Sequence, residues 1–307
     1  MKRLLLILCV VFALAACSDT EKQLLERATE LCNYIPDHQL LETSREYMTD
    51  DFYNVLDTMF YRLPDYEECA HEWLYYFVTG NGGTIADYEV VSVEKTDPTH
   101  AIATINVRQK WEDGSFADPD DLETHLLYME KVNGKWLMSD FDEHKQDCIR
   151  NIEISKRELA KREAISNYMI SEIGVHYVQG EYCVPVLMIV DEDEENNKIW
   201  LDSWIFWYNL SGDTLKTVSG GNHSGCITLK RDNGELTVVS FEQTVDGAGY
   251  EASAKRIFGD KYEIYENIHS NHNVSESARQ IHLREYCKQH NLDVNYYQDY
   301  GWQAVKL

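Results

Sequence analysis

The residues best suited to chemistry fall into short constellations, each missing a part. His71-Glu72-Trp73-Leu74-Tyr75 begins like a zinc-binding His-Glu-x-x-His helix, but position 75 is Tyr, so the second imidazole ligand is absent. His282-Leu283-Arg284-Glu285-Tyr286 starts the inverted order and lacks its closing His. Gly220-Gly221-Asn222-His223-Ser224-Gly225-Cys226 has phosphate-loop glycine spacing without the Lys-Ser/Thr that would reach the phosphates. The segment reads instead as a loop needing positive φ, one that could touch a ligand through Gly220, Gly221 and His223. Gly247-Ala248-Gly249-Tyr250-Glu251-Ala252 fits a dinucleotide fingerprint, but helices follow where a parallel strand bearing an acid is required.

Metal chemistry is not expected. His269-Ser270-Asn271-His272, with Glu266 nearby, looks like a helix end running into a polar loop, where the two imidazoles diverge. Asp191-Glu192-Asp193-Glu194-Glu195 lacks the glycine and spaced ligands of a calcium loop and reads as a hairpin tip. Nor is a cofactor expected. Trp200, Trp204, Phe206, Trp207 and Tyr208 crowd one segment, and Tyr296, Tyr297, Tyr300 and Trp302 crowd the tail. Such rings could form a platform for sugars or peptides, but core packing of a strand covered on both faces is the favoured reading.

The first residues point outward from the cytoplasm. Met1-Lys2-Arg3 is followed by the apolar run Leu4 to Ala16, shorter than the roughly 20 residues that span a bilayer as a helix. The run ends Leu14-Ala15-Ala16-Cys17, which resembles the lipobox of bacterial lipoproteins. That resemblance implies cleavage before Cys17 and a diacylglycerol on its thiol, so residues 1–16 are a signal peptide and 17–21 a lipidated spacer. Two or three acyl chains give a stable anchor where one is marginal. The acidic residue soon after Cys17, with no Asp at position 18, suggests the outer membrane and leaves the side open. Besides Cys9 and Cys17, six cysteines remain: Cys32, Cys69, Cys148, Cys183, Cys226 and Cys287. An even count in an exported chain permits disulfides, of which Cys32–Cys69 is the first guess, with free buried thiols as the alternative. No Cys-x-x-Cys pair occurs, which argues against a redox dithiol.

The net charge of −25 becomes two units more negative once Lys2 and Arg3 leave with the signal. Such a chain repels nucleic-acid phosphates and anionic headgroups alike, so nucleic acid is excluded as a partner and the acyl chains carry the membrane attachment. An envelope protein or a small ligand remains as partner. The length asks for two domains.

The elements that would position these residues are helices, then strands, twice. Leu24, Leu25, Ala28, Leu31 and Cys32 share helical spacing, Asp50 or Asp51 opens a helix carrying Phe52, Val55, Leu56 and Met59, and another runs from Asp65 to about Thr79. Tyr88–Glu94 and Ala101–Val107 alternate as strands, and Thr124–Val132 and Lys135–Asp142 flank the hairpin signal Asn133-Gly134. Helices followed by a meander ending Gly134-Lys135-Trp136-Leu137-Met138-Ser139-Asp140-Phe141 resemble the nuclear-transport-factor-two-like, or cystatin-like, fold over residues 22–142. The resemblance implies a curved sheet wrapped on a long helix, with a cavity. In its enzymes carboxylates and tyrosines shuttle protons, which nominates Tyr61, His71, Asp140 and Asp142.

Residues 143–170 read as a charged joining helix. Residues 171–307 read as strands (Cys183–Val190, Lys198–Leu210, Cys226–Arg231 and Leu236–Thr244) and then helices (Tyr250–Phe258, stopped by Gly259, and Ser275–His290). This half resembles an uncharacterised domain of secreted bacterial proteins, on Ser219-Gly220-Gly221 and on Asp246-Gly247 before Ser253-Ala254-Lys255-Arg256-Ile257-Phe258-Gly259.

The fold class expected is therefore α+β throughout: a cystatin-like cone, then a second α+β domain with an antiparallel sheet and C-terminal helices. The function expected is that of a cell-envelope lipoprotein binding a ligand or protein without catalysis. The alternatives are an acid–base enzyme in the cone and a glycan- or peptide-binding protein using the second-domain aromatics.

Overall fold

A computed structural model of the chain describes residues 21–32, 41–63, 84–110, 115, 123–232 and 234–307. The architecture is α+β, in two compact units, Met1–Lys156 and Arg157–Leu307.

The first unit opens with helix α1 (residues 21–32) and the short helix α2 (Leu41–Ser44). Helix α3 (Asp50–Asp57) begins where Thr49 accepts the Phe52 N–H at 3.3 Å, with Asp50 and Asp51 favourably placed at the positive end of the helix dipole. A π-helical turn, Thr58–Arg62, extends it and buries Met59 and Phe60. Four strands follow, β1 (Thr84–Lys95), β2 (His100–Lys110), β3 (Glu123–Val132) and β4 (Lys135–Phe141), as an antiparallel meander in that order. Asn133 and Gly134, both at positive φ, make the β3–β4 turn that the sequence signals. Bulges in β1 and in the β3–β4 pairing bend the sheet. Alternate residues Ala101, Ala103, Ile105 and Val107, with Leu127, Met129, Trp136, Met138 and Phe141, pack against Leu24, Ala28, Leu31, Phe52, Leu56 and Phe60.

Helix α4 (His144–Tyr168) covers the expected joining segment, but its halves serve different cores. Cys148 and Ile152 pack in the first unit, and Ala164 and Ile165 in the second.

The second unit is built on β5 (Tyr182–Asp193), β6 (Lys198–Ser211), β7 (Thr214–Asp232), β8 (Glu235–Gln243), β9 (Tyr296–Gln298) and β10 (Val305–Lys306), in the order β10-β9-β7-β6-β5, with β8 also on β7. β9 runs parallel to β7, so the expected antiparallel sheet carries one parallel pairing. Helices α5 (Tyr250–Phe258), α6 (Tyr262–His269) and α7 (His272–Gln289) complete the unit, and Gly259 at φ +55° separates the first two.

Both faces of this sheet are covered. Leu201, Ile205, Ile227 and Leu229 meet Ile165, Met169 and Ile173 on one side. On the other, Cys226 and Trp200 meet Ala254, Ile257, Phe258 and Tyr265, while Val184 and Tyr208 meet Leu283 and Cys287.

Two expectations need correction. Ser219-Gly220-Gly221 does not form a positive-φ loop between two strands: β7 runs through it, paired with β6 from Thr214 to Thr228 with one bulge at Val218. The glycines serve close approach instead. A Cβ on Gly220 would stand 2.6 Å from both the Ile205 carbonyl and the Phe206 ring, and one on Gly221 would collide with the Tyr177 hydroxyl. The second correction concerns Cys32, which is a buried free thiol, so the Cys32–Cys69 disulfide is not formed. Cys69 itself, like Cys17, His71 and the helix expected over 65–79, lies outside the described residues.

Candidate functional site

The register of β6 against β7 sets Asp202 opposite Ser224 and Trp204 opposite Asn222. Alternation then brings Asp202, Trp204, Asn222 and Ser224 to one face, the face covered by the C-terminal helices. Asp202 is 1% exposed. A carboxylate that deep must be hydrogen-bonded to persist, and each of its oxygens is. Oδ1 accepts from Asn222 Nδ2 and Ser224 Oγ, both at 2.6 Å, and Oδ2 accepts from His269 Nδ1 at 3.1 Å.

His269 is the last residue of α6, where the helix dipole favours a cation. Its ring stacks on Tyr265, one turn earlier, at 5.2 Å and tilts over Tyr250 at 5.5 Å. Tyr265 in turn stacks on Phe258 at 3.9 Å. The Asp202 hydrogen bond lifts the His269 pKa above its ordinary value, with burial opposing and the charges of Asp202 and Glu266 assisting. The Asp202 carboxylate accepts, so the His269 tautomer carries its proton on Nδ1 when neutral and leaves Nε2 as the basic nitrogen.

A second chain of polar groups leads away from the carboxylate. The Tyr265 hydroxyl lies 2.5 Å from that of Tyr250, with Ser224 nearby. The cluster is thus a buried carboxylate with an oriented imidazole on one oxygen and Asn222 and Ser224 on the other, beside the Tyr250–Tyr265 pair. It can offer a proton donor or acceptor at His269 Nε2. It is not a nucleophile–base–acid triad, because the Ser224 hydroxyl bonds Asp202 and not the imidazole.

His223, a sequence candidate, is part of neither series. It stands on the opposite face of β7, where Nε2 meets the Tyr177 hydroxyl and Nδ1 meets Gln243 Oε1, each at 2.9 Å. Gly221 shares that face under Tyr177, and Gly220 lies on the Asp202 face beside Phe206. The residues on either side of His223, Asn222 and Ser224, were missed and are the ones that reach Asp202.

In the first unit Asp142 and Asp140 part company. Asp140 accepts the Phe141 and Lys145 N–H groups at 2.7 and 2.9 Å and caps the start of α4. Asp142 lies 2.5 Å from Nδ1 of His125, a residue that sequence reading passed over, and also accepts the Leu126 N–H. His125 is a β3 residue on the buried face, 8% exposed, stacked on Phe141. Burial works against its charge, but Asp142 and Glu123 outweigh it and raise the His125 pKa. Its Nε2 is buried without a hydrogen bond, 3.5 Å from Glu123. Tyr61 is 40% exposed, and its hydroxyl accepts the Leu41 N–H at 3.3 Å.

No protein-family model and no curated protein matches the chain. Among solved structures, an "Ntf2 like protein involved in plasmid conjugation" is 8% identical, with 73% of this chain and 98% of that chain covered and a TM-score of 0.22. A likeness of that size assigns no family.

The remaining candidates settle into packing. Glu158, Glu192 and Glu194 could surround a cation, but Lys161 Nζ already stands among them at 2.9, 2.5 and 3.8 Å. The charged segment near Glu194 is the β5–β6 hairpin tip, as expected. Trp200 and Trp207 donate to the Ile257 and Gly174 carbonyls, and Tyr208 and Tyr297 are buried. Trp204 and Phe206 are half-buried with parallel rings 5.7 Å apart. Tyr300 and Trp302 are exposed. Among the described residues, no helix is long and apolar enough to cross a membrane.

Proposed function

We propose that this chain is a lipid-anchored cell-envelope protein, carried by Cys17 on the outer membrane, that binds a ligand or protein partner without chemical turnover. The anchor rests on the sequence: two cations, an apolar core of signal-peptide length, and Leu14-Ala15-Ala16-Cys17. The binding role rests on one observation, the complete engagement of Asp202. Its donors, Asn222, Ser224 and His269, are held in place by it, and Trp204 lies on the same face, an arrangement that sets directional hydrogen bonds beside an aromatic ring. The finer reading of the first unit, a cystatin-like cone, is supported by its order of helices and antiparallel meander.

Crosslinking in intact cells, with the lipid retained, tests the binding role. Adducts that form with the parent protein and disappear with Trp204→Ala or His269→Ala support it. Adducts indifferent to both substitutions refute this face as the binding surface.

A second reading has its own support. The buried Nε2 of His125, without a hydrogen bond and backed by Asp142, is what an acid–base enzyme in the first unit would use. A proton-exchange activity on a carbonyl acid, lost in His125→Gln, would replace the first reading.

A further inference from the structure

Tyr300 and Trp302 are the two most exposed large apolar side chains among the described residues, at 97% and 76%. They are neighbours on one turn. The Trp302 N–H donates to the Asp299 carbonyl at 3.1 Å, Gln298 Nε2 donates to the Trp302 carbonyl at 2.8 Å, and Gly301 supplies the required positive φ, +79°.

The base of this turn is fixed to the sheet. Arg279, 6% exposed, donates twice to the Asp299 carboxylate, at 2.8 and 2.7 Å, and once to the Tyr208 hydroxyl at 2.8 Å. Thr217 also donates to Asp299, at 2.6 Å. The guanidinium lies 4.0 Å from the Phe206 ring centre and 4.6 Å from that of Tyr297. Two large rings are therefore held out on a braced support, which reduces the ordering cost of any contact they make.

The charge of the tip differs from that of the chain. With 53 acidic residues the protein is strongly anionic, yet from residue 294 to 307 the sole acidic side chain is Asp299, and Arg279 neutralises it. Residues 300–305 are uncharged, Lys306 is exposed, and Tyr296 and Val305 of the same hairpin are each 37% exposed. Trp, Tyr and Lys around an uncharged tip is the composition favoured at the headgroup level of a bilayer, while the anionic remainder is kept off that surface. Two rings alone bind a bilayer weakly. On a chain already tethered to the same bilayer the contact is intramolecular, and weak affinity suffices.

The geometry points to the Tyr300–Trp302 turn as a second membrane contact, its rings seated among zwitterionic headgroups of the bilayer that holds Cys17. This inference rests on the lipoprotein reading. The test uses the full lipidated protein in phosphatidylcholine–phosphatidylethanolamine vesicles, with and without bromine on the upper acyl chain. Brominated lipid should quench part of the tryptophan emission in the parent, and Trp302→Phe should remove that quenched part while the circular dichroism spectrum stays unchanged. Equal quenching in both proteins, or none in either, overturns the contact. Mass spectrometry of the Cys17 peptide reads the anchor separately. Lipid on Cys17 without Trp302-dependent quenching sinks the contact alone, and Cys17 without lipid sinks the lipoprotein reading and the contact with it.

Discussion

His269 Nδ1 stands 3.1 Å from Oδ2 of Asp202, and the two residues are joined across 67 positions of sequence. The pair makes a titration prediction. The Asp202 hydrogen bond raises the His269 pKa above 6.5. The stability it contributes is therefore fully present below pH 6.5 and is lost as pH rises through the raised folded value. In a pH series of nuclear magnetic resonance spectra, His269 should titrate above 6.5, and Asp202→Asn should return it towards or below 6.5. An unshifted His269 in both proteins would mean the pair is not formed in solution.

His282 should behave with the opposite sign. It projects from α7 to the outer edge of β5, where Nδ1 donates to the Ala278 carbonyl at 2.8 Å and Nε2 accepts the Leu187 N–H at 3.3 Å. Burial lowers its pKa below 6.5. Its contribution is present above 6.5 and is lost as pH falls through the lowered folded value, because a proton on Nε2 would displace the Leu187 N–H. His282→Ala leaves that strand N–H unsatisfied, at a cost of about 2 kcal/mol. Urea unfolding at neutral pH and at pH 5 should show the variant less stable at neutral pH and the gap smaller in acid.

The clamp on the C-terminal turn is testable without any ligand. Asp299→Ala would leave the Arg279 guanidinium buried against Phe206, Tyr208 and Tyr297 with no carboxylate. Because Asp299 is itself partly exposed, the expected loss is about 2 kcal/mol, below that of a fully buried pair. Hydrogen exchange should rise first in β9 and β10, whose attachment to β7 the clamp secures. Exchange unchanged there would show that the short β7–β9 pairing holds the tail by itself.

Local signals in the sequence identify local structure, and these residues show where that stops. Asn133-Gly134 specifies its hairpin because a two-residue turn needs two positive φ values, and Gly259 ends α5 for a similar reason. Asp50 and Asp51 mark the start of α3. Ser219-Gly220-Gly221 misleads because the same glycines suit a loop or a crowded strand, and only the approach of Phe206 and Tyr177 decides between them. The Asp202 site is invisible for a different reason: its partners come from β7 and α6, and no short spacing encodes that meeting. One signal was legible. Asp202 shares its strand face with Trp200 and Trp204, and where such an aromatic face is covered a carboxylate on it demands donors from elsewhere. His125 on the alternating β3 asks the same question.

The crowded glycines give a prediction that separates packing from ligand contact. Gly220→Ala puts a methyl 2.6 Å from the Ile205 carbonyl, a backbone atom unable to rotate away. The strain expected is about 2 kcal/mol, with the β6–β7 ladder pushed apart locally. Gly212→Ala, in the β6–β7 turn, meets no neighbour within 4 Å and is strained through its φ of +66° alone, so it should cost less, about 1 kcal/mol. Thermal melts of the two variants without added ligand should rank in that order. A Gly220→Ala protein as stable as the parent would argue that β6 and β7 lie farther apart than described.

The thiols provide the last test. Cys32, Cys148, Cys183, Cys226 and Cys287 are free and buried, and burial pushes the first three up to about 12. A thiol in that state is a poor nucleophile, because the reactive thiolate is scarce and the sulfur is covered. In the folded protein all five should react with an aromatic disulfide reagent far more slowly than in urea, and reductant should leave the melting temperature unchanged. A disulfide would reverse both results. Reductant would lower the melting temperature by releasing a constraint on the unfolded chain, and two thiols would be missing from the urea count. Peptide mapping would then identify the pair, and Cys32 joined to Cys69 would mean that α1 is stapled to residues 64–83 instead of being held by the packing of Leu24, Ala28 and Leu31 alone.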